Sequence, residues 1–326
     1  MPYVDRIKVI GTNLKGLAMK RTTIAVILAC FAATPAVAHD AITLAEYKES
    51  RASDFETTEI KIQKVGDRVS VLFGIGGNIA VSVGSQGVLI VDDQFPELMP
   101  RIKDAIEQLG GDKVDFAINT HWHYDHANGN VALGAEGTWF VSQLKSRKMM
   151  LDSQVINTVR RQIEQPAQPT EALPIITYND RMQFFFNGER IDLVHFGSAH
   201  TTGDTAVIFR SDNVVHMGDV YNARYPFIDA GNGGTLDGII AFCEAVLGEI
   251  DEDTIVIPGH GPVATYSDLQ QYVVMLKIIR ERMVALIDGG ASLADVVNAK
   301  PTAEWDDAKG DPARLINRAY YSLVQN

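Results

Sequence analysis

Apolar and polar positions in the first half of this chain form a repeating pattern of short, β-branched runs. Each run ends at a Gly-rich or Asp-containing break, a spacing that is typical of the strands of a β-meander. The four runs cover residues 61–65, 69–73, 79–83 and 88–91. Residues 96–109 instead place Leu98, Ile102 and Ile106 on one helical face, so we predict a helix there.

The pattern continues with an apolar run at 114–118, which predicts another strand. We then expect a helix ending at Leu133, a strand over 138–141 and a polar helical segment through Gln165. The Pro-rich stretch 166–174 interrupts that segment and indicates a surface connection.

The second half repeats the organisation of the first. Predicted strands cover 182–186, 190–195, 205–210, 214–217 and 254–257, with a helix over 236–250. Two β-rich halves, each flanked by helices, indicate an α/β fold built as a layered sandwich.

Amphipathic spacing at 269–287, 293–297 and 313–324 predicts three further helices. We interpret them as a C-terminal helical cap on the sandwich, and a dimer interface is the alternative use of their apolar faces. The predicted organisation is therefore an N-terminal extension and signal peptide over 1–38, a polar leading arm over 39–58, the main domain over 59–264 and the cap over 265–326.

The N-terminal region has the zones of a secretory signal. Met19-Lys-Arg21 is basic, 22–33 is apolar, and Ala36-Val-Ala38 is a small-residue site, so cleavage before His39 and export to the periplasm are expected. Residues 1–18 precede Met19, which is the more natural start of translation. A lipid anchor on Cys30 is the alternative. The apolar zone is shorter than the ~20 residues of a bilayer span, so we expect no stable membrane span.

Charge and cysteine content limit the possible partners. The formal net charge of −12 becomes −16 when the five basic residues and one acidic residue of 1–38 are removed. Such a surface repels polyanions, so we expect no nucleic-acid partner and a small-molecule substrate instead. After cleavage, Cys243 is the only cysteine, which excludes an intramolecular disulfide, and its helical setting predicts a small core residue.

The strongest chemical signal is the stretch 119–126, which places His121, His123, Asp125 and His126 directly after a predicted strand. Alternation along an extended segment points the first two imidazoles the same way. Imidazole nitrogen and carboxylate oxygen are ligands that suit Zn(II) and related divalent ions, so we predict a metal site.

Three later motifs occur in a characteristic order after this one. Gly197-Ser-Ala-His-Thr-Thr-Gly-Asp204 contains His200, Met217-Gly-Asp219 follows, and Pro258-Gly-His-Gly261 contains His260. Together with His-x-His-x-Asp-His at 121–126, they resemble the signature of the metallo-β-lactamase superfamily over residues 65–262. The resemblance implies a four-layer αββα sandwich with the motifs at strand ends.

The same resemblance implies two metal ions held by seven ligands. The first set is His121, His123 and His200, the second set is Asp125, His126 and His260, and Asp219 bridges both. Two Zn(II) ions are expected, with Fe or Mn as alternatives. A hydroxide between them would attack a substrate carbonyl, and Asp125 would orient it as the catalytic residue.

Asp92 matches the first motif position of the family, which implies that it orients a ligand or the metal loop without binding metal itself. Its alternative role, more plausible for the adjacent Asp93, is to cap the following helix. Of the three histidines outside the motifs, His39 is terminal, while His195 and His216 lie in strand patterns and are interpreted as structural.

Asp219 departs from the lactamases of the family, because one class has Cys there and another leaves the position unfilled, whereas the family's thioesterases and lactonases have Asp. Export favours β-lactam hydrolysis, since the thioester substrates of the Asp-bridged relatives are mainly cytoplasmic. A lactone, ester or thioester hydrolase is the alternative. An iron-dependent redox member is the second alternative, and a binding protein without catalysis is disfavoured because no ligand is missing.

Two segments are candidates for substrate binding. The Gly-rich link 73–78 is interpreted as a mobile flap that carries Phe73 and Ile75 toward substrate, with an ordinary hairpin as the alternative. A nucleotide-binding loop is excluded there because a strand, not a helix, follows. In the loop 221–234, Arg224 is a candidate partner for a substrate carboxylate, and Asn222 is a candidate donor to a developing oxyanion.

Overall fold

The computed structural model describes residues 41–324, in which strands and helices alternate over most of the chain. The strands are β1 (Ile42–Thr43), β2 (Lys61–Lys64), β3 (Val69–Phe73), β4 (Ile79–Gly84), β5 (Gly87–Val91), β6 (Val114–Asn119), β7 (Trp139–Gln143), β8 (Gln154–Asn157), β9 (Gln162–Gln165), β10 (Ile176–Tyr178), β11 (Arg181–Phe186), β12 (Glu189–Val194), β13 (Ala206–Phe209), β14 (Val214–His216), β15 (Ile255–Ile257) and β16 (Ala264–Thr265).

The helices follow the apolar periodicity of the sequence, and the predicted C-terminal helices are all present. They are α1 (Leu44–Glu49), α2 (Ala52–Thr57), α3 (Met99–Gln108), α4 (Tyr124–Ala127), α5 (Asn130–Gly134), α6 (Leu144–Met150), α7 (Leu236–Leu247), α8 (Tyr266–Asp288), α9 (Leu293–Ala299), α10 (Asp306–Lys309) and α11 (Ala313–Val324). Within the described residues, no helix is both long and apolar enough to cross a bilayer.

Two mixed sheets form the centre of the fold. The first has the order β10-β7-β6-β5-β4-β3-β2, and the second has the order β11-β12-β13-β14-β15-β16. Each sheet contains parallel pairs where the metal motifs occur, because β5 runs parallel to β6 and β14 runs parallel to β15. The carboxyl ends of these paired strands therefore meet at one edge of each sheet.

Side-chain alternation along the strands produces the layers. Val71 of β3 and Val214 of β14 point into the apolar cluster shared by the two sheets, while their neighbours Leu72 and Val215 point outward. Outward residues of the first sheet pack with α3, and those of the second sheet pack with α7, α8 and α11. The predicted four-layer αββα sandwich is confirmed.

The C-terminal helices complete the outer layer over the second sheet. Leu276 and Ile279 of α8, Val296 of α9 and Leu315 and Ala319 of α11 are buried in the same cluster as the outward face of that sheet. Burial of an apolar stripe against the sheet is the main stabilising contribution to an amphipathic helix. These faces are therefore used within the chain, as the cap interpretation requires. Cys243 lies in this cluster as a buried free thiol, and burial raises its pKa.

Two stretches differ from the prediction. The polar helix expected through Gln165 ends at Met150, and β8 and β9 form a hairpin beyond it. Only Ile156 and Ile163 provide apolar inward positions in this hairpin, so its period-two pattern is hidden in a polar sequence. The leading arm is also structured, because it forms α1 and α2 and β1 pairs with β9.

Candidate metal centre

The predicted ligands come from segments that follow strand ends. His121 to His126 follow β6, Asp219 follows β14 in a short 3-10 turn, and His260 follows β15. His200 lies in the connection between β12 and β13. Because these segments all leave the sandwich at the same edge, residues up to 139 positions apart in the chain meet in space.

The first set of ligands converges closely. His200 Nε2 lies 2.9 Å from His123 Nδ1, and the rings of His121 and His200 are 4.7 Å apart. The candidate ligand atoms of His121, His123 and His200 all lie within 4.8 Å of one another. This set matches the first metal group predicted from the sequence.

The second set and the bridging carboxylate lie beside the first. His126 Nε2 is 3.1 Å from His260 Nε2, and Asp125 Oδ2 is 3.3 Å from the same His260 nitrogen. The Asp219 carboxylate contacts both sets, with Oδ1 3.2 Å from His126 Nε2 and Oδ2 3.7 Å from His200 Nε2. The structure therefore brings all seven predicted ligands together.

Hydrogen bonds on the far side of each ring decide which nitrogen faces the centre. His126 Nδ1 donates to Asp92 Oδ2 at 2.7 Å, His123 Nε2 donates to Asp229 Oδ2 at 2.9 Å, and His200 Nδ1 donates to the Phe227 carbonyl at 2.8 Å. In each neutral ring the other nitrogen then carries a lone pair that points inward.

His121 reaches the same state through a relay. The Thr120 hydroxyl donates to Asp92 Oδ2 at 2.8 Å, so its oxygen is available to accept from His121 Nδ1 at 3.0 Å. His121 Nε2 is left buried with no hydrogen-bond partner among the described residues. A single carboxylate, Asp92, thereby orients a ring in each ligand set, and its position agrees with the orienting role implied by the family motif.

Burial and charge shift the pKa values of the two sets differently. Burial, reinforced by the neighbouring histidines, lowers the pKa of His121 well below its usual range, and burial also lowers the pKa of His200. Burial opposes charge on His126 and His260 too, but Asp219 acts together with Asp92 on His126 and with Asp125 on His260, and these carboxylates raise both pKa values. Asp125 and Asp219 have lowered pKa values, because the adjacent histidines offset the cost of burying the charged carboxylates.

This donor set fits divalent cations. His200 Nε2 and His123 Nδ1 are 2.9 Å apart, and His126 Nε2 and His260 Nε2 are 3.1 Å apart. Lone pairs on nitrogens this close repel one another unless a proton or a cation lies between them. The buried atoms His121 Nε2 and Asp219 Oδ1 have no hydrogen-bond partner among the described residues, which is costly for polar groups. Two cations bound by five imidazoles and two carboxylates remove both costs, and this ligand chemistry suits zinc, iron or manganese.

Asp92 and its neighbour Asp93 have different environments. Asp92 adopts φ 64° at the end of β5, which turns its carboxylate toward Thr120 and His126. Asp93 is buried against Asn119 and Gly129, and burial together with the charge of Asp92 raises its pKa well above the usual range. The helix-capping role considered for Asp93 is wrong, since the following 3-10 helix has no side-chain cap.

The Gly-rich link 73–78 is held against the ligands. Gly77 N donates to the Asp125 carbonyl at 2.9 Å, and Asn78 donates from its backbone and side chain to carbonyls of the 258–261 segment. A Cβ on Gly77 would lie 2.1 Å from the His126 ring, so glycine is required for this approach. These contacts hold the link against the candidate ligands in this structure, and its mobility stays a prediction.

The two candidate residues of that link have different positions. Ile75 lines the cavity in front of the ligands. Phe73 instead packs, half-buried, in the cluster between the two sheets and does not line the cavity. The prediction that Phe73 points toward substrate is wrong because β3 continues to that residue and its alternation turns the ring inward.

The loop 221–234 lies beside the ligands and is bound to the cap. Asn222 lines the cavity, but its Oδ1 accepts from the His260 backbone at 2.8 Å, so the side chain also positions that ligand. Tyr225 Oη donates to Asp306 Oδ1 at 2.9 Å, and Lys309 Nζ donates to the Ala223 carbonyl at 3.0 Å. Arg224 is exposed at the cavity wall.

Sequence reasoning missed Asp229, the partner of His123. It lies 106 residues away in the loop assigned to substrate recognition, and its setting before Ala-Gly-Asn resembles an ordinary turn. The two histidines interpreted as structural are hydrogen-bonded to the backbone. His195 Nδ1 is 2.7 Å from the Asp204 carbonyl, and His216 Nε2 is 2.9 Å from the Asn78 carbonyl. His39 lies outside the described residues.

A family model described as the metallo-beta-lactamase superfamily matches residues 84–260, which include all seven candidate ligands. The chain belongs to this superfamily. The resemblance inferred from the four motifs is therefore confirmed, and the site is a candidate dinuclear centre of a hydrolase-like fold.

Solved structures of metallo-beta-lactamases share the superfamily fold. The metallo-beta-lactamase from Pontibacter korlensis aligns with a TM-score of 0.56 at 16% identity, covering 67% of this chain and 99% of that one. The DIM-1 metallo-beta-lactamase aligns with a TM-score of 0.54 at 17% identity, covering 67% and 97%. At such identities the likeness shows the fold alone.

A curated relative belongs to a different functional class. Coenzyme F420H(2) oxidase of Methanothermobacter marburgensis is 36% identical over 66 residues. This match covers 19% of the present chain and only 16% of the oxidase.

Proposed function

We propose that this metallo-beta-lactamase superfamily member is a metal-dependent hydrolase that cleaves a carbonyl bond in a small substrate. The observation that supports this most directly is the complete set of seven ligands around one centre. Divalent cations held there would polarise the substrate carbonyl and activate a water molecule at neutral pH. His121, His123 and His200 would hold one ion, Asp125, His126 and His260 the other, and Asp219 would contact both.

The protein's own side chains would orient the reacting groups. Asp125 lies at the cavity, and its lowered pKa keeps the carboxylate able to accept a hydrogen bond from water at Oδ2. Asp92, Thr120 and Asp229 hold the imidazole rings in the tautomers that ligation requires. The cavity in front of them has a volume of about 900 Å³, which accommodates a small molecule.

We propose β-lactams as the first substrate class to test, because the N-terminal pattern indicates export. The carboxylate at Asp219 supports lactones, esters and thioesters as the second class. Turnover of a chromogenic cephalosporin, an acyl-homoserine lactone and a thioester should be compared on protein loaded with zinc, iron or manganese, with and without chelator. No chelator-sensitive hydrolysis of any of these substrates would contradict the proposed function.

A matched pair of variants tests the site itself. Asp125→Asn removes a candidate ligand carboxylate and should reduce turnover by roughly two orders of magnitude or more. Asp112→Asn makes the same chemical change at an exposed residue and should leave turnover unchanged. Equal turnover in both variants would exclude Asp125 from the reaction.

Redox chemistry is the second candidate function, and the local similarity to an F420H(2) oxidase is the observation that favours it. Such an activity would require iron in the site and an external electron donor. Metal analysis of protein purified without added metal, together with oxygen consumption in the presence of reduced deazaflavin, tests it. Iron occupancy with oxygen consumption and without hydrolysis would favour the redox function.

We also propose that the protein acts in the periplasm. The support is the basic, apolar and small-residue order of 19–38, a region outside the described residues. Fractionation of cells that express the full chain should place a form beginning at His39 in the periplasmic fraction. An uncleaved cytoplasmic form would contradict this proposal.

A further inference from the structure

The cavity in front of the ligands contains an unusual concentration of positive side chains for a chain with a net charge of −12. Among residues 41–324, five arginines line it, and the only acidic residues that line it are the two candidate ligands Asp125 and Asp219. These arginines are Arg51, Arg160, Arg161, Arg224 and Arg314. They come from α2's N-cap, the β8–β9 hairpin, the loop 221–234 and α11, and none belongs to the metal motifs.

Acidic partners account for only two of the five. Arg51 pairs with Asp54 at 2.8 Å, and Arg160 pairs with Asp311 at 2.6 Å. Within residues 41–324, Arg161, Arg224 and Arg314 have no carboxylate at ion-pair distance, and all three are exposed at the cavity. Three like charges that face one concave space repel one another, and an anionic ligand relieves that repulsion.

Aromatic rings hold two of these guanidinium groups without using their N–H donors. Arg314 Cζ lies 5.6 Å from the Phe227 ring centroid, and Arg161 Cζ lies 5.9 Å from the Tyr47 centroid. Stacking on a ring face orients the planar group but leaves its five N–H donors available to a ligand. Among the described residues, no protein acceptor uses the guanidinium N–H donors of Arg161 or Arg314, so a ligand can bind them.

Phe227 also links Arg314 to the candidate metal centre. Its ring centroid is 6.1 Å from that of His123 and 5.6 Å from that of His200. Arg314 and these two histidines therefore lie beside the same aromatic ring. A substrate whose carbonyl is at the metal centre can reach Arg314 with a group a few bonds away.

From these observations we infer that the substrate of this site is an anion, whose carboxylate-class group binds the wall formed by Arg161, Arg224 and Arg314. The inference rests on the proposed hydrolytic function and narrows its substrate class. It also gives the C-terminal cap a direct role in recognition, because Arg314 belongs to α11, beyond the residues matched by the family model.

Two aryl esters with the same leaving group and chain length test the inference. Mono-p-nitrophenyl adipate carries a distal carboxylate, and p-nitrophenyl hexanoate carries a methyl group instead. Wild-type protein should show a kcat/KM for the adipate ester about tenfold or more above that for the hexanoate ester, since a charged hydrogen bond discriminates to this extent. Arg314→Gln should reduce this preference several-fold through KM, and Arg314→Lys should retain part of it.

Lys113→Gln provides the control, because it removes the same charge at an exposed residue beside the opposite end of β6. Equal kcat/KM for the two esters in wild type, or an equal loss of preference in Lys113→Gln, would overturn the inference. Titration calorimetry of adipamate, which has a distal carboxylate, and of uncharged hexanamide on the metal-loaded protein decides it if neither ester is hydrolysed. Tighter binding of adipamate, lost in Arg314→Gln, supports binding of an anion by these arginines even where the proposed hydrolysis fails. Equal binding of the two amides would refute it.

Discussion

The Asp92 carboxylate accepts a 2.7 Å hydrogen bond from His126 Nδ1, although the two residues lie 34 positions apart. This contact fixes the inward nitrogen of a ligand in the second set. Asp92→Asn keeps the side-chain shape and tolerates the left-handed backbone, but it removes the negative charge. We expect metal affinity to fall by about 10- to 100-fold in the second set, and to fall in the first set as well, because Asp92 also orients His121 through the Thr120 hydroxyl. Competition titration with a chromogenic chelator measures this change.

Asp229 should act on the first set alone, because its Oδ2 accepts from His123 Nε2. In Asp229→Asn we expect a loss of about 10- to 100-fold at the first metal while the second is bound as in wild type. Stepwise titration measures the affinity of each site. If Asp229→Asn weakened the second metal as much as the first, the assignment of ligands to two sets would be wrong.

Gly77 limits how the hairpin tip approaches the ligands. In Gly77→Ala the new Cβ would meet the His126 ring at 2.1 Å, so either the ring or the hairpin must move. We expect a loss of roughly half of the bound metal and a matching loss of hydrolysis, with the fold retained. Elemental analysis and circular dichroism provide the measurements.

Gly248→Ala is the control for that substitution. It lies at the end of α7, has φ −76°, and its added Cβ would make no contact closer than 3.4 Å. Full metal content is expected there. Unchanged metal content in Gly77→Ala as well would show that the hairpin yields without disturbing His126.

The buried Asp93 carboxyl should make the free energy of unfolding depend on pH. Its folded-state pKa is raised by burial and by Asp92, so above the unfolded value of about 3.9 the folded protein retains a proton that the unfolded chain releases. Stability therefore falls as pH rises through this window, by up to about 1.4 kcal/mol per pH unit. Asp93→Asn lacks this titration and should gain in stability relative to wild type between pH 4 and 7. Urea unfolding at several pH values measures the difference, and a constant difference across that range would show that Asp93 is not protonated in the folded state.

Local sequence was sufficient for the 121–126 cluster and for most elements. This cluster brings three histidines and one aspartate together within six residues, so its metal-binding chemistry can be inferred without knowledge of any tertiary contact. Phe73 and the segment 151–165 show where such reasoning fails. Phe73 begins the Gly-rich link, which suggested a flap residue, but the strand that contains it turns its ring into the core. Polar residues dominate β8 and β9, so their alternation became visible only once Ile156 and Ile163 were seen to be buried.

The sequence by itself determined the His/Asp cluster at 121–126, the layered α/β architecture and the amphipathic C-terminal helices, because these depend on residue type and short-range periodicity. The full set of seven candidate ligands followed from the resemblance of its four motifs to the superfamily pattern. Only the tertiary structure decided that Asp229 supports His123, that Gly77 packs on His126 and that Arg314 of the cap faces the cavity. Each of these is a contact between distant segments, and its geometry depends on how the sheets and helices pack. No periodicity along the chain encodes it.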